Sequence, residues 1–283
     1  MTMKMIAMDR HPLALRAWTT TIWVLVGFFI LNLLAMIASV VVNSFGTRWF
    51  NTWLPNGFTT KWYFSAWAEF QLDDVLITTF QVVGAVVVLS GLLGVLGAYA
   101  LARREFPGKR LVMLLILLPL LVPPLTYGIP LATVLYQFGA AGSVFGVILA
   151  NLVPTVPFVI LVMIPFIEQI DPRIEAAARV FGANSRQMFV YVLVPLLAPG
   201  ILAALLMVLV RTIAMFELTF FTAGPSSQTL VVALYYAVYA AGVRAGQSID
   251  AMAVIYMATT MVWLLIALRF VNPTQLVTRV KKS

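Results

Sequence analysis

The stretch Ile170-Asp-Pro-Arg-Ile-Glu-Ala-Ala-Ala-Arg-Val-Phe-Gly-Ala-Asn-Ser-Arg-Gln-Met-Phe-Val-Tyr-Val-Leu-Val-Pro195 is a polar interruption between long apolar runs. A chain otherwise built to sit in lipid must project this segment into water, within reach of a soluble partner. Asp171 is placed to cap a helix that starts at Pro172, whose missing amide hydrogen would have been an orphan there anyway. Ile174, Ala177, Ala178 and Phe181 recur at three- and four-residue spacing as one apolar stripe, with Arg173, Glu175 and Arg179 falling largely away from it. Gly182 can take the left-handed conformation that ends a helix, and Asn184 or Ser185 can cap a second one running into Val192 and Pro195. The expected product is a knuckle of two short helices, with Ala176, Ala177 and Ala183 small enough to let it enter a groove on a partner. The same pattern also fits an amphipathic loop resting on lipid headgroups, and the residues alone leave both open.

Composition sets the surroundings of this segment. Of 283 residues, 62% are hydrophobic and 10% charged, against about 25% charged in soluble domains. An all-α polytopic membrane protein follows, because each crossing of a hydrocarbon core of roughly 30 Å takes about 20 apolar residues. Expected spans cover 17–42, 75–102, 110–138, 143–169, 190–222 and 250–271, about six helices in one transmembrane domain over 1–283. Residues 43–74 form a first external loop and 171–190 the polar cytoplasmic segment. The first apolar run reads as a retained signal anchor, since no small-residue cleavage pattern follows it. The run from Leu230 to Gly242 is too short to span and is expected to be interfacial or re-entrant.

Cations in short loops stay on the cytoplasmic side. Lys4, Arg10 and Arg16 precede the first span, and Arg103, Arg104, Lys109 and Arg110 separate the second from the third. Arg173, Arg179 and Arg186 separate the fourth from the fifth, and Arg269, Arg279, Lys281 and Lys282 close the chain. Both termini are therefore expected in the cytoplasm, with Arg48, Lys61, Arg244, Asp73 and Asp74 on the opposite face. Topology and anionic headgroups account for the net charge of +8 without a nucleic-acid partner. There is no cysteine, and the single histidine, His11, lies in the tail, so thiolate chemistry, Cys-ligated metals and an intramembrane histidine base or His-based metal site are excluded. Pro107-Gly108-Lys109-Arg110 lacks the spacing and the hydroxyl of a phosphate-binding loop. Neither a cofactor nor a catalytic residue is expected on this chain.

The knuckle resembles the loop of permease subunits of bacterial ATP-binding-cassette importers, whose pattern is Glu-Ala-Ala, three residues, Gly, nine residues, Ile-x-Leu-Pro. Counting from Gly182, nine residues lead to Val192-Leu193-Val194-Pro195. Ala177 and Ala178 match the two alanines, but Ala176 stands at the Glu position and Glu175 lies one residue earlier. A polar contact made by the family's Glu to its ATPase would be lost here or made by Glu175. Ala98-Tyr99-Ala100-Leu101-Ala102-Arg103-Arg104 with Phe106-Pro107-Gly108-Lys109 is similar to the family's exit from its second helix. Pro119, Pro123, Pro124 and Gly128, then Pro154 and Pro157, look like its kinked third and fourth helices. Asn56-Gly57-Phe58-Thr59-Thr60-Lys61-Trp62-Tyr63, and Ala223-Gly224-Pro225 with Thr229-Leu230, resemble elements of the branch that imports polyamines, opines and related nitrogenous solutes. Where many relatives carry paired acids late in the fifth helix, this chain has Ala214-Met215, with its acid displaced to Glu217.

Charge inside hydrocarbon costs a few kcal/mol and usually faces protein or water. Glu217 and Arg211 are therefore candidates for a translocation path, although six residues on one ideal helix would turn them about 240° apart, toward different surfaces. Asn151 could line the same path or make an interhelical hydrogen bond. Tyr127, Tyr235, Tyr236 and Tyr239 fit a path, an interfacial aromatic belt or simple packing. Gly84, Gly91, Gly94 and Gly97 read as a close-packing row.

The resemblance implies an importer in the bacterial inner membrane. This chain and a homologous permease would enclose a conduit, an external solute-binding protein would deliver solute, and two cytoplasmic ATPase subunits carrying ATP and Mg would grip the knuckle. Permeases for sugar, phosphonate or ferric iron are alternatives within the class. An ion-coupled secondary carrier would want coupling groups at mid-membrane and an internal repeat, and an intramembrane enzyme a catalytic dyad; neither pattern is present.

Overall fold

The computed structural model describes residues 12–49, 54–239 and 245–270. The tail cations Lys4, Arg10, Arg279, Lys281 and Lys282, together with His11, Gly242 and Arg244, lie outside them. Among the described residues five helices are long and apolar enough to cross a membrane, or six when one sharply bent pair counts as a single span.

The centre of the bundle is the pair α3 (Leu72–Arg103) and α6 (Val144–Glu168), flanked by α9 (Val194–Ile213). Glycines explain why these helices lie so close. A Cβ on Gly94 would stand 2.5 Å from Val159 Cβ and 3.3 Å from the Val156 carbonyl, one on Gly97 3.0 Å from Ile160 Cδ1, and one on Gly91 2.7 Å from Leu205 Cδ2. Where lipid is as apolar as the side chains, such close packing replaces the hydrophobic drive as the main adhesive. Val82, Val86, Met163, Ile167, Leu193 and Leu197 fill the core so formed. Gly84 does not belong to the row, because nothing lies within 4 Å of its missing Cβ. Gly94→Leu is therefore expected to destabilise the fold by about 1–3 kcal/mol or more through overpacking, while Gly84→Leu is tolerated. Monodisperse yield and thermal unfolding in detergent distinguish them; equal behaviour would refute the packing account.

The first helix, α1 (Pro12–Phe45), is apolar on every side and exposed along its candidate span, leaning on α2 (Lys61–Glu69) and α12 (Gly246–Phe270). Its free surface must meet lipid or protein outside the chain. The connection to α3 is folded: Trp62 Nε1 donates to the Gly46 carbonyl at 2.7 Å, Ser44 and Tyr63 share a 2.8 Å hydrogen bond, and Asn43 Nδ2 donates to Asp250.

Two spans differ from expectation. The third, read as one helix over 110–138, is α4 (Lys109–Leu121) and α5 (Pro124–Gln137) bent by 103°. Val122 and Pro123 are extended, because each precedes a proline whose ring excludes the helical conformation. The fifth, read as one helix over 190–222, begins earlier and ends earlier. It runs from α8 (Ser185–Gln187) through a π turn at Met188–Leu193 into α9, where Val194 donates to the Phe189 carbonyl five residues back. Pro195 cannot donate to Tyr191, so the turn before it widens. The helix then stops at Ile213, and Glu217 opens a separate helix, α10 (Glu217–Thr222). No glycine or proline marks this break. Burial of Met215 and Leu218 against Tyr127, Leu131 and Leu135 of α5 and Ala150 of α6 redirects the chain there. The apolar run after it forms the short α11 (Leu230–Tyr239), too short to cross.

Candidate coupling knuckle and mid-membrane cluster

The polar interruption folds as α7 (Pro172–Val180) followed by a tight bend into α8. Asp171 Oδ1 accepts from the Arg173 amide at 2.9 Å, and Pro172 occupies the first turn. At the other end Gly182 has φ +87°, its amide donates to the Arg179 carbonyl at 3.0 Å, and the Ala183 amide donates to Ala178 at 3.0 Å. This paired six-to-one and five-to-two closure needs a left-handed residue, which only glycine supplies without strain. Asn184 then caps α8, exchanging side-chain and backbone hydrogen bonds of 2.9 Å with Gln187; Ser185 is the first helical residue and not the cap.

Glu175 is turned inward, 5% exposed, and held by a small network of polar contacts. Arg103 Nε lies 2.7 Å from Glu175 Oε1, the Tyr99 hydroxyl donates to Oε2 at 2.8 Å, and Arg103 Nη2 donates to the Ile170 carbonyl at 2.6 Å. The knuckle is thereby fastened to the end of α3. Glu175 cannot therefore take over a contact to an outside protein in this conformation, and Ala176 offers only a methyl group in the family's acid position. The apolar residues divide as well. Ala178 and Ala183 pack on the core, whereas Ile174 is exposed and Val180 and Phe181 stand out at 85% and 90% exposure. An aromatic ring so exposed at the tip of a rigid bend, beside exposed Arg173, Arg179 and Arg186, has the form of a plug for a groove. Ala176 and Ala177 are exposed as well, and exposed Pro195 lies further along, past the π turn.

The candidate path residues gather where the two broken spans meet. Tyr127 of α5 lies within electrostatic reach of both Arg211 and Glu217. The 240° separation expected of the two charges does not hold, because the break after Ile213 puts them on different helices; Arg211 instead sits 5.6 Å over the Phe158 ring. Tyr127 is not a belt residue, since its hydroxyl is buried without a hydrogen-bond partner among the described residues. Asn151 is fully buried and ties α6 to α10, its Nδ2 donating to Val147 at 2.9 Å and to Thr219 Oγ1 at 3.2 Å, with Oδ1 unpaired among the described residues. Thr212 Oγ1 is a further buried group, next in the chain to Arg211, with no partner among them. Sequence reasoning passed over it and over Phe216 and Phe220, which the structure joins to Tyr235 and Tyr239 in one ring cluster. Aromatic residues on two short helices carry no periodic signal that would have joined them.

Fold and site together define a multi-pass helical membrane protein with an exposed two-helix knuckle at one end and a polar seam between broken helices. Residues 90–282 match the family described as "Binding-protein-dependent transport system inner membrane component", and the chain belongs to that family. It is accordingly a multi-pass inner-membrane transport component. The chain is 31% identical over 150 residues to the diacetylchitobiose uptake system permease protein of Streptomyces coelicolor, covering 53% of this chain and 50% of that protein. It is 30% identical over 184 residues to the sulfoquinovosyl glycerol transport system permease protein of Agrobacterium fabrum, covering 65% of each. With the sulfate transport system permease protein of Escherichia coli it shares 30% over 149 residues, 48% of this chain and 54% of that one. The chain thus spans about half to two thirds of the length of these curated relatives. In fold it matches a solved bacterial transporter for import of the acidic polysaccharide alginate, at TM-score 0.74 and 19% identity over 91% of this chain and 97% of that one. The polyamine and opine resemblance of the Gly-Phe-Thr and Gly-Pro elements finds no support among these relatives, which are named for sugars and sulfate. Gly57 and Pro225 lie outside the helices.

Proposed function

We propose that this chain is a permease subunit of an ATP-driven, binding-protein-dependent importer, with α7 and its bend as the handle gripped by a cytoplasmic ATPase. The observation that carries this reading is the Phe181 tip, exposed yet rigidly framed by the Gly182 closure and the Asn184 cap, and anchored to α3 through Glu175 and Arg103. A handle has to present an adhesive outer face and transmit displacement through a stiff inner one, and the two faces of this segment divide in that way. The α7 end is then cytoplasmic, consistent with the cations at Arg103, Arg104, Lys109 and Arg110. A homologous permease would cover the free side of α1 and complete the conduit along Tyr127, Asn151, Arg211 and Glu217. ATP and Mg would be bound by two partner ATPase subunits, and an external binding protein would supply solute, as in the alginate transporter solved with its periplasmic protein. Nucleotide-driven closure of the ATPases would bias the assembly between outward- and inward-open states. A polyamine or opine cargo rests here on the Gly-Phe-Thr and Gly-Pro resemblances alone.

Pull-down of the full chain from native membranes tests the reading. The chain is expected to bring down an ATPase, and Phe181→Glu, at a position 90% exposed and so neutral to folding, is expected to reduce recovery at least about tenfold, as loss of an aromatic anchor does. No ATPase with the unaltered chain, or equal recovery with the variant, would overturn it.

A further inference from the structure

At the end of α3 opposite the knuckle a cleft of about 510 Å³ opens between the first turns of α3 and the loop 223–229. Gln71, Asp74 and Thr78 form one wall, and Pro225, Ser226 and Gln228 the other. The second wall is fixed. Ser227 Oγ accepts from the Gly224 amide at 2.7 Å and donates to the Gly142 carbonyl at 3.1 Å, while the Gly142 amide donates to Thr222 at 2.8 Å. The loop's far end is pinned by the Leu230 amide, which donates to Thr79 Oγ1 at 2.9 Å. Ser227 and Thr229 are buried, and the alternating Ser226 and Gln228 are left to the cleft.

Thr78 is the informative residue. It is 6% exposed as a residue and lines the cleft. Its neighbour Thr79, also buried, is used up in pinning the loop and in donating to the Val75 carbonyl. A hydroxyl on a nearly buried, positionally fixed residue that faces a cavity of ligand size can both donate to and accept from a molecule lodged there. The chemistry of that partner follows from the lining. Two amides and two hydroxyls both donate and accept, and among the lining residues the only charged side chain is the Asp74 carboxylate. An anion would be repelled by Asp74 with no cation in the lining to compensate.

We propose that this cleft is a solute-binding site at the outer mouth of the permease, for a non-anionic solute that presents O–H or N–H donors, a saccharide or an ammonium compound and not an oxyanion. The inference rests on the importer reading for its biological sense, but binding in the cleft is measurable without an ATPase. The full chain in lipid nanodiscs is titrated with trehalose, putrescine and sulfate, each followed by ligand-observed NMR. Trehalose or putrescine is expected to bind and sulfate not to. Thr78→Val preserves shape, Asp74→Asn changes an exposed position, and each is expected to weaken the bound probe about tenfold or more, the loss of one hydrogen bond to a buried or charged group. A loss for putrescine confined to Asp74→Asn would identify ammonium chemistry, and a loss for trehalose with Thr78→Val and Gln228→Leu saccharide chemistry. Binding of sulfate as tight as that of the other two, no binding by any probe, or binding unchanged in both variants would overturn the proposal. Failure of the ATPase pull-down would strike the importer reading and leave this result standing.

Discussion

Gly182→Pro is expected to abolish ATP-coupled uptake, while the membrane-embedded core still folds. Proline fixes φ near about −65° and removes the amide hydrogen, whereas residue 182 stands at φ +87° and donates to Arg179. The closure of α7 is lost, and the Phe181 tip no longer points where α7 and α8 aim it. Gly182→Ala separates conformation from hydrogen bonding. It keeps the amide and costs about 1–2 kcal/mol for the left-handed position, so uptake is expected to fall only partly. In proteoliposomes of the assembled importer the expected order of uptake is wild type, then the alanine variant, then the proline variant, with ATP hydrolysis in the last no longer tied to solute arrival. Unaltered coupling in Gly182→Pro would remove the knuckle from the mechanism.

Glu175→Ala carries the second large effect. The Arg103 and Glu175 side chains are 13% and 7% exposed, so deleting the acid strands a guanidinium that retains only the Ile170 carbonyl, and leaves the Tyr99 hydroxyl without its acceptor. Breaking one side of such a buried pair costs roughly 3–5 kcal/mol. A lowered thermal midpoint in detergent is expected, together with uptake reduced more than ATPase recovery in the pull-down, because the outer face of α7 survives while its fastening to α3 does not. Glu175→Gln, whose single side-chain oxygen can still accept from Arg103 while its amide nitrogen faces the Tyr99 hydroxyl, should fall between. If Glu175→Ala instead lost the ATPase and kept its thermal midpoint, the carboxylate would be serving an outside protein and not α3.

Much of this architecture is legible in one dimension. Asp171 with Pro172 starts a helix and Gly182 ends one through terms that act within a few residues; Pro123 and Pro124 break the third span by the same short-range term, although run length alone read it as one helix over 110–138. Apolar run lengths likewise assign most of the spans, because lipid imposes one thickness on every crossing. The inward turn of Glu175 was not legible. Its position off the apolar stripe of α7 suggested exposure, but Arg103 and Tyr99, 72 and 76 residues earlier, supply charge and hydrogen bonds that outweigh the local pattern.

The break at Ala214–Phe216 shows the division most sharply. The chain there contains only good helix or neutral residues, and local propensity continues the helix to Thr222. Sequence by itself determined that this region is apolar, membrane-embedded and carries two isolated charges, since those depend on composition alone. Only the tertiary structure decided that the helix stops, that Met215 and Leu218 drop into the space beside α5 and α6, and that Arg211, Glu217 and Tyr127 share one neighbourhood. The physical reason is range: capping, proline and run-length effects are fixed by near neighbours, whereas packing and buried ion pairs depend on residues that meet only when the whole bundle has assembled.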